Sequence, residues 1–255
     1  MIFATTKIKY TFRKNRIKIN LQEAGGTNLK LSRFIYFNLI VMVILIPLGF
    51  IASLLSLEQG YQLENNRVLF RFAELFNLNL EANVPAWYSA FLMIVISGLS
   101  LFISKVNTLP EKKYFLGISV IFLMMSVDEI SSIHEIMNNP VRNALSLSGA
   151  FYWAWIVPGL IFLFMMIFVF RQFFMMIDRR FRRLFILSGF IYIMGAVGFE
   201  MLGGWLYSNK LGDSYFYIFE VVVEESLEMF GLLLFIYTLI EYIKSFGEDI
   251  HITIR

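Results

Sequence analysis

Residues 215–242 read YFYIFEVVVEESLEMFGLLLFIYTLIEY. A helix needs roughly 20 mostly apolar residues to cross a hydrocarbon core, and this stretch is long enough, yet Glu220, Glu224, Glu225 and Glu228 interrupt it. An ionisable group deep in a bilayer costs about 2.5–3.5 kcal/mol on insertion scales, so it persists where it has work to do. At about 100° per residue, Glu220, Glu224, Glu228 and Gly231 form one helical stripe, with Glu225 beside Glu228. The stretch therefore predicts a membrane helix that carries a site.

Five more stretches qualify, at about residues 34–57, 86–104, 114–136, 151–173 and 184–207, by the same length criterion. The chain is 58% hydrophobic and only 16% charged, with 28 Phe and 13 Met among 255 residues, and a bilayer is its natural solvent. The reading is an all-α polytopic membrane protein, a six-helix bundle.

Lys and Arg test the topology, because cytoplasmic loops are enriched in them. With the N-terminus inside, only Arg67, Arg71, Arg142 and Lys210 of the 22 basic residues face outward, which leaves 22 − 4 = 18 inside. The partition alternates loop by loop and puts both termini in the cytoplasm. It also explains the net charge of +3 without nucleic acid, which is excluded as a partner. Residues 1–33 form a cytoplasmic basic arm, 34–243 the membrane domain and 244–255 a cytoplasmic tail. The arm alternates Lys and Arg with Ile8, Tyr10, Phe12, Ile17 and Ile19 as far as Gly25-Gly26, and reads as a segment on anionic lipid rather than a cleaved signal. The lipid bilayer is thus the first partner.

Around residues 66–79, Val68, Phe72, Leu75 and Phe76 recur at helical spacing opposite Arg67, Arg71 and Glu74, which predicts an outer interfacial helix. Pro47 and Pro158 lie within spans and are expected to bend them, Pro158-Gly159 as the functional kink. Trp87, Tyr88, Tyr152, Trp153, Trp155, Trp205, Tyr207, Tyr215 and Tyr217 fall at outer ends and read as headgroup anchors.

The acids of the last span have company. The third ends in Ser126-Val-Asp128-Glu129-Ile-Ser131-Ser132-Ile-His134-Glu135, and the fifth carries Glu200. From the rise of about 1.5 Å per residue, Asp128 lies some 21 Å from Tyr114, Glu200 about 24 Å from Leu184 and Glu228 about 20 Å from Tyr215, which places them in one outer layer. A continuous third helix would set Asp128, Ser131, Ser132 and Glu135 on one face, with Glu129 and His134 flanking it. Gly203-Gly204 and Gly231 would let backbones approach.

Eight carboxyls with only His134 and Arg142 nearby need cations or protons. Oxygen-rich ligation with one imidazole suits a divalent Mg, Ca, Mn or Fe ion. The expected metal ligands are Asp128, His134, Glu135, Glu200, Glu224 and Glu228, with Glu129 and Glu225 as catalytic general bases. The simpler alternative is interfacial acids in water, or protonated acids bonded between helices.

With no cysteine, thiolate sites and disulfides are excluded; with His251 as the only other histidine, so is bis-histidine haem. The paired methionines read as packing. Nucleotide-binding glycine loops are absent, and Ser131 or Ser132 beside His134 is weak evidence for a hydrolase. Two functions compete. One is a metal-dependent membrane enzyme, a hydrolase or oxidoreductase with a lipid substrate. The other is a cation or proton-coupled transporter or channel, with an ion as substrate. A third is a divalent-ion sensor. The inner halves hold only Ser97, Ser100, Ser104, Ser119, Ser188, Tyr192 and Thr238 as polar groups, so a route across would need the Pro158 bend or the axis of a homo-oligomer. One-sided polarity favours the enzyme.

Asp128-Glu129, Ile133-His134-Glu135, Glu200-Met201-Leu202-Gly203-Gly204 and Glu224-Glu225-Ser226-Leu227-Glu228-Met229-Phe230-Gly231 resemble an uncharacterised family of bacterial multi-pass membrane proteins. Its motifs are Asp-Glu…Ile-His-Glu and Glu-Glu-x-x-Glu-Met-x-Gly. The resemblance covers residues 115 to 242, leaves the arm and outer helix outside it, implies a bacterial inner (plasma) membrane and implies no activity.

Overall fold

The computed structural model describes residues 17–18, 24–59, 66–106, 109–246 and 251–252. Ten α-helices form among them: α1 Ala24–Gln59, α2 Arg67–Phe76, α3 Val84–Val106, α4 Lys112–Ser131, α5 Ile133–Ile136, α6 Asn138–Leu145, α7 Ile156–Met176, α8 Arg179–Ile193, α9 Glu200–Ser208 and α10 Tyr215–Lys244. A 3-10 turn, Gly149–Phe151, precedes α7, and a π-helical segment, Met194–Phe199, joins α8 to α9. Six helices are long and apolar enough to cross a membrane: Arg33–Leu57, Val84–Val106, Lys112–Ser131, Ile156–Met176, Arg179–Ser208 and Tyr215–Lys244.

α3 and α10 form the centre, packing Leu92, Met93, Ile96 and Ile103 against Met229, Leu232, Ile236 and Leu239, all fully buried. α1 and α8 flank α10, and α4 lies along α3. α7 stands further from its neighbours than the other long helices do. It is held at the end that carries Lys112 and the Arg179–Arg183 run, where Phe173 meets Phe115 edge-on at 5.3 Å and the Tyr114 hydroxyl donates to Gln172 at 3.0 Å.

That basic end is closed by aromatic rings. Phe115 lies 4.9 Å from Tyr242, Phe185 5.0 Å from Phe235 and Phe181 5.1 Å from Tyr242, centroid to centroid. Buried Glu111 accepts a hydrogen bond from the Tyr242 hydroxyl at 3.0 Å, and Glu241 binds both Arg180 and Lys244 at 2.8 Å.

Four expectations need correction. The third span does not run to residue 136, because Ser132 turns left-handed (φ 51) and ends α4; the next helix starts in a new direction. The face drawn through Asp128, Ser132 and Glu135 on a continuous helix therefore does not exist. Pro158 sits in the first turn of α7, where a missing N–H breaks no intrahelical bond, so it starts the helix instead of kinking it. Gly25 and Gly26 lie within α1. Tyr88 is no surface anchor, since its hydroxyl reaches the carbonyl of buried Asn38 at 3.1 Å.

The helix expected near 66–79 is α2, capped by the Asn66 carboxamide. Val68 and Leu75 point outward, and Arg71 pairs with Glu74 at 2.8 Å. Of the basic arm, Ile17 and Lys18 pair antiparallel with Ile252 and His251 of the tail. The other arm residues as far as Glu23 lie outside the described residues.

Candidate functional site

At the opposite end from the aromatic closure, the chain builds a cavity of about 1050 Å³ between α4, α7, α8, the π segment and α10. Asp128, Glu129, Glu135, Glu200, Glu220, Glu224, Glu225 and Glu228 all line it, and so does His134. A ninth carboxyl, Glu81, joins them from the loop between α2 and α3. Among the described residues, no Lys or Arg lines this cavity.

Glu81 is brought in by a polar staple. The Ser53 hydroxyl donates to the Asn77 carboxamide oxygen at 2.8 Å, the Asn77 amide donates to Ser56 at 3.2 Å, and the Asn83 amide donates to the Asn77 carbonyl at 2.6 Å. The loop is thereby fixed to α1. Sequence reasoning missed Glu81 because it lies in no apolar stretch.

The break at Ser132 folds His134 back over the end of α4. Its backbone N–H donates to Asp128 Oδ1 at 2.9 Å, its Nδ1 lies 2.8 Å from Asp128 Oδ2, and its Nε2 lies 3.2 Å from Glu81 Oε1. Burial disfavours the charged ring, but hydrogen bonds to the two carboxyls override it and push the His134 pKa up to about 10. His134 is therefore an imidazolium at neutral pH, with both nitrogens engaged. It holds no free nitrogen for a metal or for a Ser131 or Ser132 nucleophile. The Glu135 carboxyl is raised above its ordinary value by burial and by nearby Glu81.

Trp155 closes the same end. Its backbone N–H donates to the Asn138 carboxamide oxygen at 3.0 Å, its ring meets His134 at 4.9 Å, and its indole N–H donates to Glu200 Oε1 at 2.8 Å. It is a partner of the site rather than a headgroup anchor. Arg142, expected near the acids, instead lies over the Tyr152 ring at 4.3 Å and donates to the Tyr152 carbonyl and to Asn139.

The π segment sets the phase of Glu200. A π turn adds a residue to the α-helical repeat, so the periodicity that assigns α8 cannot be carried on to α9. Here α8 and its π extension also pass very close to α10: a Cβ on Gly195 would sit 2.7 Å from the Glu224 carbonyl, and one on Gly231 2.7 Å from the Tyr192 nitrogen. Tyr192, expected among the inner polar groups, lines the acidic cavity as a result.

The deepest acids lie on α10, where Glu228 is buried and Glu220 only 3% exposed. Neither carboxyl oxygen of Glu220 makes a hydrogen bond of good geometry among the described residues, although the Glu224 carboxyl and the Gly203 backbone lie beside it, and Glu81 Oε2 is likewise unpartnered. A buried polar atom without a partner is a costly rarity. As arranged, no three His, Asp or Glu side chains among the described residues come together closely enough to hold a metal ion. The cavity gathers the expected ligands around one space without converging them on a point.

Towards the basic end several polar groups find partners, while buried Ser100 Oγ and Arg182 Nε have none among the described residues. Ser97 donates to the Ser119 carbonyl at 2.8 Å, and Ser188 and Thr238 donate to carbonyls of their own helices. The cavity ends on Phe173, Phe185 and Phe235.

Fold and site together define a helical protein with six helices of membrane-crossing length around an acidic cavity. A family model described as "Domain of unknown function (DUF8692)" matches residues 39–242, and the chain belongs to that family. The match takes in α2, which the motif resemblance left out. Comparison with curated proteins and with solved structures gives no match.

Proposed function

We propose that the chain is an integral protein of a bacterial inner membrane, with both termini cytoplasmic, and a metal-dependent membrane enzyme whose outward cavity holds a divalent cation. The observation that carries this reading is Glu220, 3% exposed, its carboxyl facing the Glu224 carboxyl and the Gly203 backbone with no hydrogen bond of good geometry, in a cavity lined by eight further carboxyls and, among the described residues, no Lys or Arg. Buried carboxylates persist when paired, protonated or bound to a metal. A hard ion of the Mg, Ca, Mn or Fe type matches an all-oxygen donor set.

Asp128, Glu200, Glu224 and Glu228 are the ligands this reading needs, with Glu135 at the rim, and Glu129 or Glu225 is the general base. His134 serves as a fixed cation that orients Asp128 and Glu81. The closed aromatic end supports a pocket over a pathway.

The test is metal analysis of the purified protein beside an Asp128→Asn, Glu224→Gln double variant, followed by ion flux in liposomes. The expected result is bound divalent metal in the wild type, at least tenfold less in the variant, and no flux. Wild-type protein that is metal-free at full yield overturns the reading, and metal-dependent flux that the variant abolishes replaces it with transport.

A further inference from the structure

The acidic cavity has a second opening, and it is sideways. Met124 of α4, Ile167 of α7 and Phe190 of α8 line the cavity, yet are 68%, 59% and 61% exposed. A side chain that does both stands on a rim. α7 is held at the basic end by Phe173 and Gln172, and Trp155 pins the segment just before it against His134 and Glu200. Its middle stands off from α4 and α8.

The depth of this rim decides what can use it. Met124 lies about 18 Å along α4 from Lys112, and Phe190 about 16 Å along α8 from Arg179, at roughly 1.5 Å per residue. Both basic residues mark one face of the bundle, so the rim sits mid-height among apolar residues, where hydrocarbon would surround it. A water-soluble substrate would not approach there. A lipid chain already occupies that depth.

The acidic end selects the head group. Nine carboxyls line the cavity and, among the described residues, no Lys or Arg does. A phosphate or carboxylate head would enter a space walled by acids with no Lys or Arg to receive it, which disfavours an anion. Trp155, Tyr192 and Tyr217 line the cavity beside these acids, and aromatic rings with carboxylates suit an ammonium group. A volume of about 1050 Å³ matches the upper end of cavities that enclose one drug-sized ligand, roughly 1,000 Å³, which is room for one chain.

We propose that the cavity binds a single-tailed amphiphile with an ammonium head, which slips in from the bilayer past α7, its tail between Met124, Phe162, Ile167 and Phe190 and its head at Glu220. This rests on the bilayer placement of the proposed function but not on the metal.

The test is photo-crosslinking of full-length protein in nanodiscs with a long-chain alkylamine carrying a diazirine on its tail. The alkyl phosphate and alcohol of equal chain length serve as comparisons. The amine is expected to label the middle of α7 and α8, at least tenfold more than the phosphate. Gly189→Trp fills the cavity wall where a Cβ meets nothing within 4 Å, and is expected to abolish labelling. Gly98→Trp on α3, also with open space but outside the cavity lining, leaves it unchanged. Glu220→Gln reduces it about tenfold, and Gly189→Trp decides alone if that variant fails to fold.

Equal or stronger labelling by the phosphate, or labelling indifferent to Gly189→Trp, overturns the inference. Metal analysis of the same sample separates the two readings: metal without amine labelling sinks the amphiphile alone, and amine labelling of metal-free protein sinks the metal alone.

Discussion

A single imidazole ties three parts of the chain together, and its ionisation is measurable. The folded His134 value of about 10 lies above the unfolded value of about 6.5. The stability it contributes is therefore fully present below pH 6.5 and lost as pH rises through 10. His134→Phe keeps the ring contact with Trp155 and removes both carboxyl bonds, each charged hydrogen bond contributing roughly 1.5–3 kcal/mol. Melting curves in detergent should show a wild-type advantage at pH 6 that shrinks steadily towards pH 10; an advantage constant over that range would sink the assignment. Trp155→Phe removes the donor to Glu200 and should cost about 1–3 kcal/mol. Trp87→Phe, at an exposed ring, should stay within about 0.5 kcal/mol. At this scale the sequence singled out most of the acids that line the cavity but not whom they touch. Asp128, Glu200 and the four cavity-lining acids of α10 are legible because an acid in an apolar run is conspicuous. Glu81 and Trp155 are not, because a loop acid and an interfacial Trp are commonplace until tertiary contacts single them out.

Among the elements, helix lengths and order were readable from hydropathy, and α2 from its polar and apolar faces. What failed was phase. Ser132 carries a left-handed turn with no Gly or Pro to announce it, and the π segment breaks a period that any helical projection assumes constant. Helix spacing was legible where small residues mark it. Gly231→Ala would place a methyl 2.7 Å from the Tyr192 nitrogen, against backbone that cannot rotate away. It should destabilise by about 1–3 kcal/mol, as overpacking does, whereas Gly98→Ala, with nothing within 4 Å, should be neutral or slightly stabilising. Thermal melting of the two variants checks this, and equal loss in both would refute a close α8–α10 contact.

For the whole molecule, the 18 to 4 division of basic residues makes a sided claim. The chain has no cysteine, so single cysteines report without background. Arg67→Cys on α2 should react with an impermeant maleimide added to intact cells, and Lys113→Cys on α4 only after permeabilisation; the reverse pattern would invert the bundle. The break at Ser132 also bears on how such a chain is made. Synthesis runs from the N-terminus, so α4 is finished before α10 exists. Asp128 has its cation in His134, six residues later, and Glu81 on the loop before α3 closes the other ring nitrogen. Asp128 is thus provisioned from its own neighbourhood during translation, and the four cavity-lining glutamates of α10 come last, to a chamber whose other walls have already been built.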